Sequence, residues 1–400
     1  MPQTINTNLS SLTAQRHLNS SQNLLSTSMQ RLSSGLRVNS AKDDAAGLAI
    51  AERMNTQVRG LNVAARNAND GISLAQTAEG ALGKVGDMLQ RMRELAVQSS
   101  NATNSVDDRK ALQAEVSQLR DEINRVAKQT SFNGQKLLDG SFSAASFQVG
   151  ANSGETITVA ALTDSSASGL SKVIYGEAME TPISATGITD LTEVTDGSLT
   201  ITVGTEIYTL ADLATARTPE ERLGQVVEAI NRGTADTGVT AFLRKLDSGE
   251  YSVELLSSKL SADGSAAEVA LAGFSSAKTG VAGPLSIANN DATSTAGINT
   301  LTIETMEDSW LAMKQIDDSL NQVNEARATL GAVQSRFESA VANIMTQSEN
   351  TSAARGRIMD ADFAAETANL SKAQILQQAG TAMVAQANQL PQQVLSLLQR

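Results

Sequence analysis

The sequence predicts a multidomain α+β chain: a long antiparallel helical rod of coiled-coil type, formed by both chain termini, with a β-rich domain inserted in the middle. Three observations predict it. Large apolar residues recur every seven positions at both ends. A 3-4 helical register runs inward from each end for tens of residues. Between about 176 and 297 the chain turns to Thr, Ser, Gly and Ala with strand-like alternation.

The ends come first. Leu18, Leu25 and Leu32, with Met29 and Leu36 on a 4-3-4 spacing, form an a/d stripe near the N-terminus. Leu376, Met383, Leu390 and Leu397 form its counterpart, with Gly380, Ala387 and Val394 between them. No Asp or Glu occurs before Asp43 or after Glu366. A solvated helix normally carries a charged outer face. These two carry Gln, Asn and Ser there instead, which suits burial among copies of themselves. The expected polymerisation core is therefore Leu18, Leu25, Met29, Leu32, Leu36, Leu376, Met383, Ala387, Leu390, Val394 and Leu397. Pro391 lies inside the last helix, where it removes a hydrogen bond and should kink it.

Further in, Ile50, Met54, Leu61, Ala64, Ala68, Ala75, Ala78, Leu82, Val85, Leu89, Met92 and Ala96 fall on one register broken only at Gln57 and Gly71. A single helix over that span needs partners along its length. Ser105 offers an N-cap to a second helix, with Asp107 and Asp108 suiting its dipole. Phe147–Val149 and Glu155–Val159 read as a β-hairpin. In the middle, Leu199–Val203 and Ile207–Leu210 read as strands, Thr218 starts a helix with Pro219 at N1, and Val239–Leu243 with Tyr251–Leu256 reads as a second hairpin. Residues 261–297 show no firm element. The helical register returns near Ile303 and includes Met306, Leu320, Phe337 and Ile344. Both ends being helical, they must pair with each other, leaving the middle as an insertion.

Composition excludes much. The net charge of -12 and the lack of any Lys/Arg run argue against nucleic acid and against an anionic membrane. Seventeen acidic against seven basic residues in 176–297 carry most of the excess. There is no cysteine, so disulfides, thiolate nucleophiles and Cys-based metal sites are out. The one histidine, His17, has no companion ligand and reads as solvated or packing. Asp43-Asp44 and Asp360/Asp362 read as helix caps rather than acid–base pairs. Gly80, Gly83 and Gly86 lie inside a helical register with no strand before them, so they read as close helix packing and not as a phosphate loop. Trp310 and Phe337 read as core. No cofactor, metal or catalytic residue is expected, and the chain is not expected to be an enzyme. The N-terminus has no Sec-type signal pattern and no run long enough to span a bilayer, so work outside the cell requires another export route.

Several runs resemble the bacterial flagellins. They are Ser33–Ile50 (SSGLRVNSAKDDAAGLAI), Arg66–Leu82, Phe132–Leu138, Asp360–Phe363, Gln374–Gly380 and Ala385–Leu398. They occur in order over about 1–150 and 300–400. Residues of about 197–257, with Ala229-Ile230-Asn231 at a helix end, are similar to the flagellin hook IN module. The resemblance implies a filament subunit with three parts. These are an inner domain from 1–40 and 358–400, a rod from 41–175 and 298–357, and a variable surface domain at 176–297. It implies export in an unfolded state by the flagellar type III system and ends that fold on polymerisation. It implies partners: other copies, hook-junction and cap proteins, and an export chaperone and gate. It also implies a mammalian Toll-like receptor that reads Arg91, Leu95 and Glu115, all three expected to face outward and to meet a neighbouring subunit. The implied location is the extracellular filament, with no role for nucleic acid or membrane. Two other classes compete with the filament subunit. A junction protein also has helical ends and occurs in few copies, but the run Gln386–Gln392 points to the filament subunit. A zinc protease carried in the middle domain would need an H-E-x-x-H helix, but the one histidine is His17, outside that domain; a Ser hydrolase would lack its usual His, and no G-x-S-x-G elbow is present.

Overall fold

The computed structural model describes residues 7–398, except 180–182, 184–186, 196, 247, 262–263, 282–285 and 288–291; side chains of 286, 292–296 and 390–398 are also outside the description. In order the elements are α1 (Leu9–Ser34), α2 (Ala45–Ser99), α3 (Val106–Gln129), β1 (Ser131–Phe132), β2 (Gln135–Lys136), β3 (Ala145–Gln148), β4 (Thr156–Val159), β5 (Lys172–Met179), β6 (Thr200–Val203), β7 (Glu206–Thr209), α4 (Pro219–Arg232), α5 (Thr234–Thr237), β8 (Val239–Lys245), β9 (Tyr251–Ser257), β10 (Val269–Ala272), β11 (Ser286–Ile287), β12 (Ala292–Ala296), α6 (Met306–Met359) and α7 (Phe363–Leu398). Helical ends thus flank a β-containing middle. The strands β10, β11 and β12 fall where the sequence indicated no element.

The chain forms two compact units. The first comprises 1–72, 146–158 and 335–400. Here α1 and α7 pair antiparallel, as Asn8 Nδ2 donating to Ala387 O (2.7 Å) at one end and Arg31 facing Glu366 (3.8 Å) at the other establish. Gly35 ends α1 with φ +70, a left-handed turn open to glycine. The chain then crosses to the end of α6: Arg37 N donates to Met359 O and Ala361 N to Gly35 O. Asp44 Oδ1 accepts from Gly47 N, and Asp362 Oδ1 accepts from Ala364 N and Ala365 N, so these two acids cap α2 and α7 as expected. Asp43 does a different job. Its carboxylate collects Ser40 Oγ and the N–H groups of Asn39 and Ser40, which hold it below the usual carboxylate range. Asp360 lies just past the end of α6 and not at a helix start: its N–H donates to Gly356 O, and its backbone bridges Leu36.

Further along this unit Phe337 is fully buried against Phe147, ring centroids 5.5 Å apart and planes at 89°. A Cβ on Gly71 would lie 2.6 to 3.0 Å from three atoms of the Phe337 ring. The glycine that interrupts the apolar register is therefore the one the packing requires. Gly80 and Gly83, read as close-packing positions, have nothing within 4 Å of an added Cβ, and Gly86 meets only Val323 at 3.9 Å.

The second unit comprises 73–145 and 159–334. Leu82, Val85, Leu89, Met92 and Ala96 of α2 are fully buried, as are Ile123 and Ala127 of α3 and Ile316 and Leu330 of α6. Ser105 caps α3 in a full capping box with Asp108. Trp310 departs from the expectation: it is half-buried under Lys314, whose Nζ lies 5.7 Å from the ring centroid. The strands build two four-stranded sheets, β11-β10-β6-β7 and β12-β5-β9-β8. Leu223, Val226 and Ile230 of α4 share one core with Ile201, Val239, Val253 and Val269 from the strands. Asn231 closes the helix end onto β8: its Nδ2 donates to Ala241 O (2.9 Å) and its Oδ1 accepts from Ala241 N (2.8 Å). The side chain acts as a short extra strand there, which is a physical use for Asn at that position.

Candidate functional site: the paired chain ends

The seam between α1 and α7 has a clear register. On α1 it runs Ser11, Ala14, Leu18, Ser21, Leu25, Ser28, Leu32, all buried or half-buried. On α7 it runs Glu366, Leu370, Ala373, Gln377, Gly380, Val384, Ala387, again all buried or half-buried. The fully enclosed members are small: Ser11, Ser28, Ala373 and Ala387, with Glu366 the exception. Ser11 Oγ donates to Asn388 Oδ1 at 2.8 Å, and a Cβ on Gly380 would sit 3.2 Å from Leu18 Cδ1. Small residues let two helices approach closely, and the structure uses them for that.

The expected core therefore divides. Leu18, Leu25, Leu32, Leu36 and Ala387 belong to or border the seam within one chain. Met29 does not: it is 57% exposed, because Ser28 takes the inner position. Leu376 (43% exposed) and Met383 (62%) lie outside the seam as well. Leu9, Leu12, Leu24 and Ile375 join them on the outside. The side chains of Leu390, Val394 and Leu397 lie outside the described residues, although the α7 backbone continues through Pro391 to Leu398. Beside the seam, Thr13, Ala14 and His17 of α1 with Leu376, Gly380 and Met383 of α7 line an open groove of about 720 Å³. The residues missed by sequence reasoning are the seam serines and Asn8. Their signal was present: Ser11 and Ser28 keep heptad phase with Leu18, Leu25 and Leu32.

The second expected surface, in the other unit, is brought together in part. Arg91 Nε donates to Glu115 Oε1 at 2.9 Å and Nη1 to Glu94 Oε2 at 3.0 Å, with all three about half exposed or more. The Glu115 and Glu94 carboxylates raise the Arg91 guanidinium above its ordinary value. Leu95 corrects the expectation. It is 1% exposed, not outward-facing. The reason is that α2 here is covered on two sides: Arg91 reaches α3 through Glu115, and Arg93 reaches Asp317 of α6 at 2.6 Å. A helix with two partners buries a wider stripe than one, and Leu95 lies within it.

Among the described residues no group of three or more His, Asp or Glu could hold a metal, and no helix is long and apolar enough to cross a membrane. What the fold and the seam define is a class: a chain whose two ends are helical and pair with each other, carrying a β-containing middle between them. Residues 5–143 match the bacterial flagellin N-terminal helical region, and residues 313–398 match the bacterial flagellin C-terminal helical region. The B-type flagellin of Pseudomonas aeruginosa is 39% identical over 490 aligned positions, covering 100% of both chains. Flagellin A of Vibrio anguillarum is 43% identical over 401, covering 99% of each. Among solved structures, FliC from Burkholderia pseudomallei is 30% identical and covers 66% of this chain and 99% of that one, with a TM-score of 0.41. The chain belongs to the bacterial flagellin family, whose members are structural proteins of the flagellar filament and not enzymes.

Proposed function

We propose that this chain polymerises into an extracellular flagellar filament through α1 and α7, whose packing is completed only when other copies cover them. One observation carries the reading. The α1–α7 seam fully encloses Ser11, Ser28, Ala373 and Ala387, covers Leu18, Leu25 and Leu32 only in part, and leaves Met29, Leu376 and Met383 outside it. Large apolar residues left in water on an otherwise acid-free surface call for a further partner, and a second copy supplies the same chemistry. A pair of helices with so thin a seam gains little from burial, and isolated helices are marginal in water. Ordering of the ends is thus coupled to assembly, which keeps subunits soluble until they meet a growing end. A head-to-tail contact that does not close produces a helical polymer.

In this reading 1–40 with 358–400 form the inner domain, 41–175 with 298–357 the rod, and 176–297 an inserted surface domain with a hook IN-like module. The subunit leaves the cell unfolded by the flagellar type III route, delivered by an export chaperone to the gate. It meets hook-junction and cap proteins at the filament ends. Arg91 and Glu115 form an exposed ion pair that serves as an inter-subunit surface and, on free subunits, as a surface for the mammalian Toll-like receptor; Leu95 acts only from beneath. The test is seeded polymerisation of the full chain, viewed by electron microscopy, beside a variant lacking 358–400. Long filaments from the full chain and none from the variant are expected. A full chain that stays monomeric with seeds present overturns the reading.

A further inference from the structure

His17 is left unused by everything above. It is the one histidine of the chain, it is exposed, and it lines the groove beside Leu376, Gly380 and Met383. Among the described residues its ring has no hydrogen-bond partner; the one bond recorded at this residue is Ser21 Oγ donating to its backbone carbonyl. Its charged surroundings are one-sided. On α1 the other ionisable residues are Arg16 and Arg31; on α7 they are Lys372 and Glu366. Glu366 is committed to Arg31, and lies ten residues from Leu376, about 15 Å along the helix. The groove-lining positions of α7 are uncharged. Nowhere in 1–42 or 367–400 does the sequence hold an Asp or Glu.

We propose that His17 makes end-to-end association of copies proton-dependent: the neutral imidazole is covered when the ends of a second copy close over the groove, and its protonation opposes that closure. The inference rests on the reading that copies associate through α1 and α7. An arriving copy's α1 and α7 bring Arg16, Arg31, Lys372 and Glu366, the last committed to Arg31, so an imidazolium there finds no free side-chain carboxylate. A buried charge without a partner is strongly disfavoured. The proton must leave before the groove closes.

The sign follows from linkage. In the proposed closure the associated state binds fewer protons at His17 than the free subunit, so association weakens as pH falls. One proton per subunit makes the critical concentration rise by up to about tenfold for each pH unit of acidification. The Glu254 carboxyl, pushed up to about 7, also changes charge in this pH range, so the decisive quantity is the difference between the protein and a His17 variant.

The experiment measures the subunit concentration left at steady state after seeding with sheared filaments of the same protein, from pH 7.5 to 5.5. The full-length protein, His17→Gln and His17→Lys are compared. The proposal expects a rise of about tenfold at pH 5.5 for the protein, a profile for His17→Gln flat to within about twofold, and an already raised value for His17→Lys at pH 7.5. Parallel profiles for the protein and His17→Gln overturn it, as does a His17→Lys variant that assembles at pH 7.5 as well as the protein. Failure of the protein itself to elongate at pH 7.5 overturns the assembly reading and this inference with it. Elongation at pH 7.5 with no dependence on His17 overturns this inference alone.

Discussion

Replacing Gly71 with alanine sets two effects of similar size against each other, and the structure decides between them. Within a helix, Gly→Ala ordinarily stabilises by about 0.5–1 kcal/mol, because glycine loses more backbone freedom on folding. At position 71 the new methyl would sit 2.6, 2.9 and 3.0 Å from three atoms of the Phe337 ring. Such distances demand movement. The ring has little freedom to move: it is fully buried and held edge-on by Phe147 at 5.5 Å. Overpacking of this kind costs about 1–3 kcal/mol. The net expectation is a loss of about 1 kcal/mol, with the opposite sign to the helical rule. Gly80→Ala and Gly83→Ala are the controls, since nothing lies within 4 Å of either added methyl; each should gain about 0.5–1 kcal/mol. Thermal unfolding followed by ellipticity at the helix band compares the three. A Gly71→Ala variant as stable as Gly80→Ala would refute the packing described around Phe337.

Met383→Ser should leave monomer unfolding unchanged. Burying the 62% of Met383 still exposed is worth about 1–2 kcal/mol per copy, so the variant should raise the critical concentration of assembly by about 5- to 30-fold; an unchanged value would remove Met383 from the interface. Glu254 is 8% exposed, and burial first, then Glu307 and Glu177, push its carboxyl from 4.5 up to about 7. The folded state then holds a proton that the unfolded chain releases, so stability of the middle domain should fall as pH rises from about 4.5 to about 7 and then level off. Glu254→Gln should abolish that slope and be more stable at pH 8, by on the order of 2–3 kcal/mol, in urea unfolding read from the near-ultraviolet dichroism of Tyr175, Tyr208 and Tyr251, the three tyrosines of the chain. Arg222 is fully buried; its Nη2 donates to Leu191 O and Thr192 O, while Nε and Nη1 have no hydrogen-bond partner among the described residues. Arg222→Ala should cost about 2–4 kcal/mol through the cavity it leaves, whereas Arg222→Met should recover most of that by filling the space without a buried charge; equal losses would contradict this account of Arg222.

Where apolar periodicity is strong, the fold could be read from residues alone. Leu61, Ala64, Ala68, Ala75, Ala78, Leu82, Val85, Leu89, Met92 and Ala96 were expected on one face of α2, and all are buried. Ile50 was expected with them and is 44% exposed, since the start of the helix lacks the second partner that covers it later. The strands β6, β7, β8 and β9 and helix α4 were legible from alternation and from Thr218-Pro219. β10 to β12 were not, because Val269–Ala272, Ser286–Ile287 and Ala292–Ala296 are short and lie in a Ser-, Ala- and Gly-rich stretch where their few β-branched residues do not stand out. At the ends, periodicity located the helices but apolarity misassigned their inner face. Leu18, Leu25 and Leu32 point to the seam, yet the next inner place belongs to Ser28 and not to Met29. Closely approaching helices select small residues, which carry no hydropathy signal. The burial of Arg222 and of Leu95 is likewise a property of what packs against them, and a single sequence does not state it.

The account turns on assembly through the chain ends, and hydrogen exchange read by mass spectrometry on free subunits and on filaments tests it most directly. Amides of Leu9–Ser34 and Phe363–Leu398 should exchange readily in the free subunit and become slower by about a hundredfold or more in the filament. Those of β6 to β9 in the middle should change little. Ends that are already protected in the free subunit and unchanged on assembly, or protection gained chiefly in the middle domain, would contradict it.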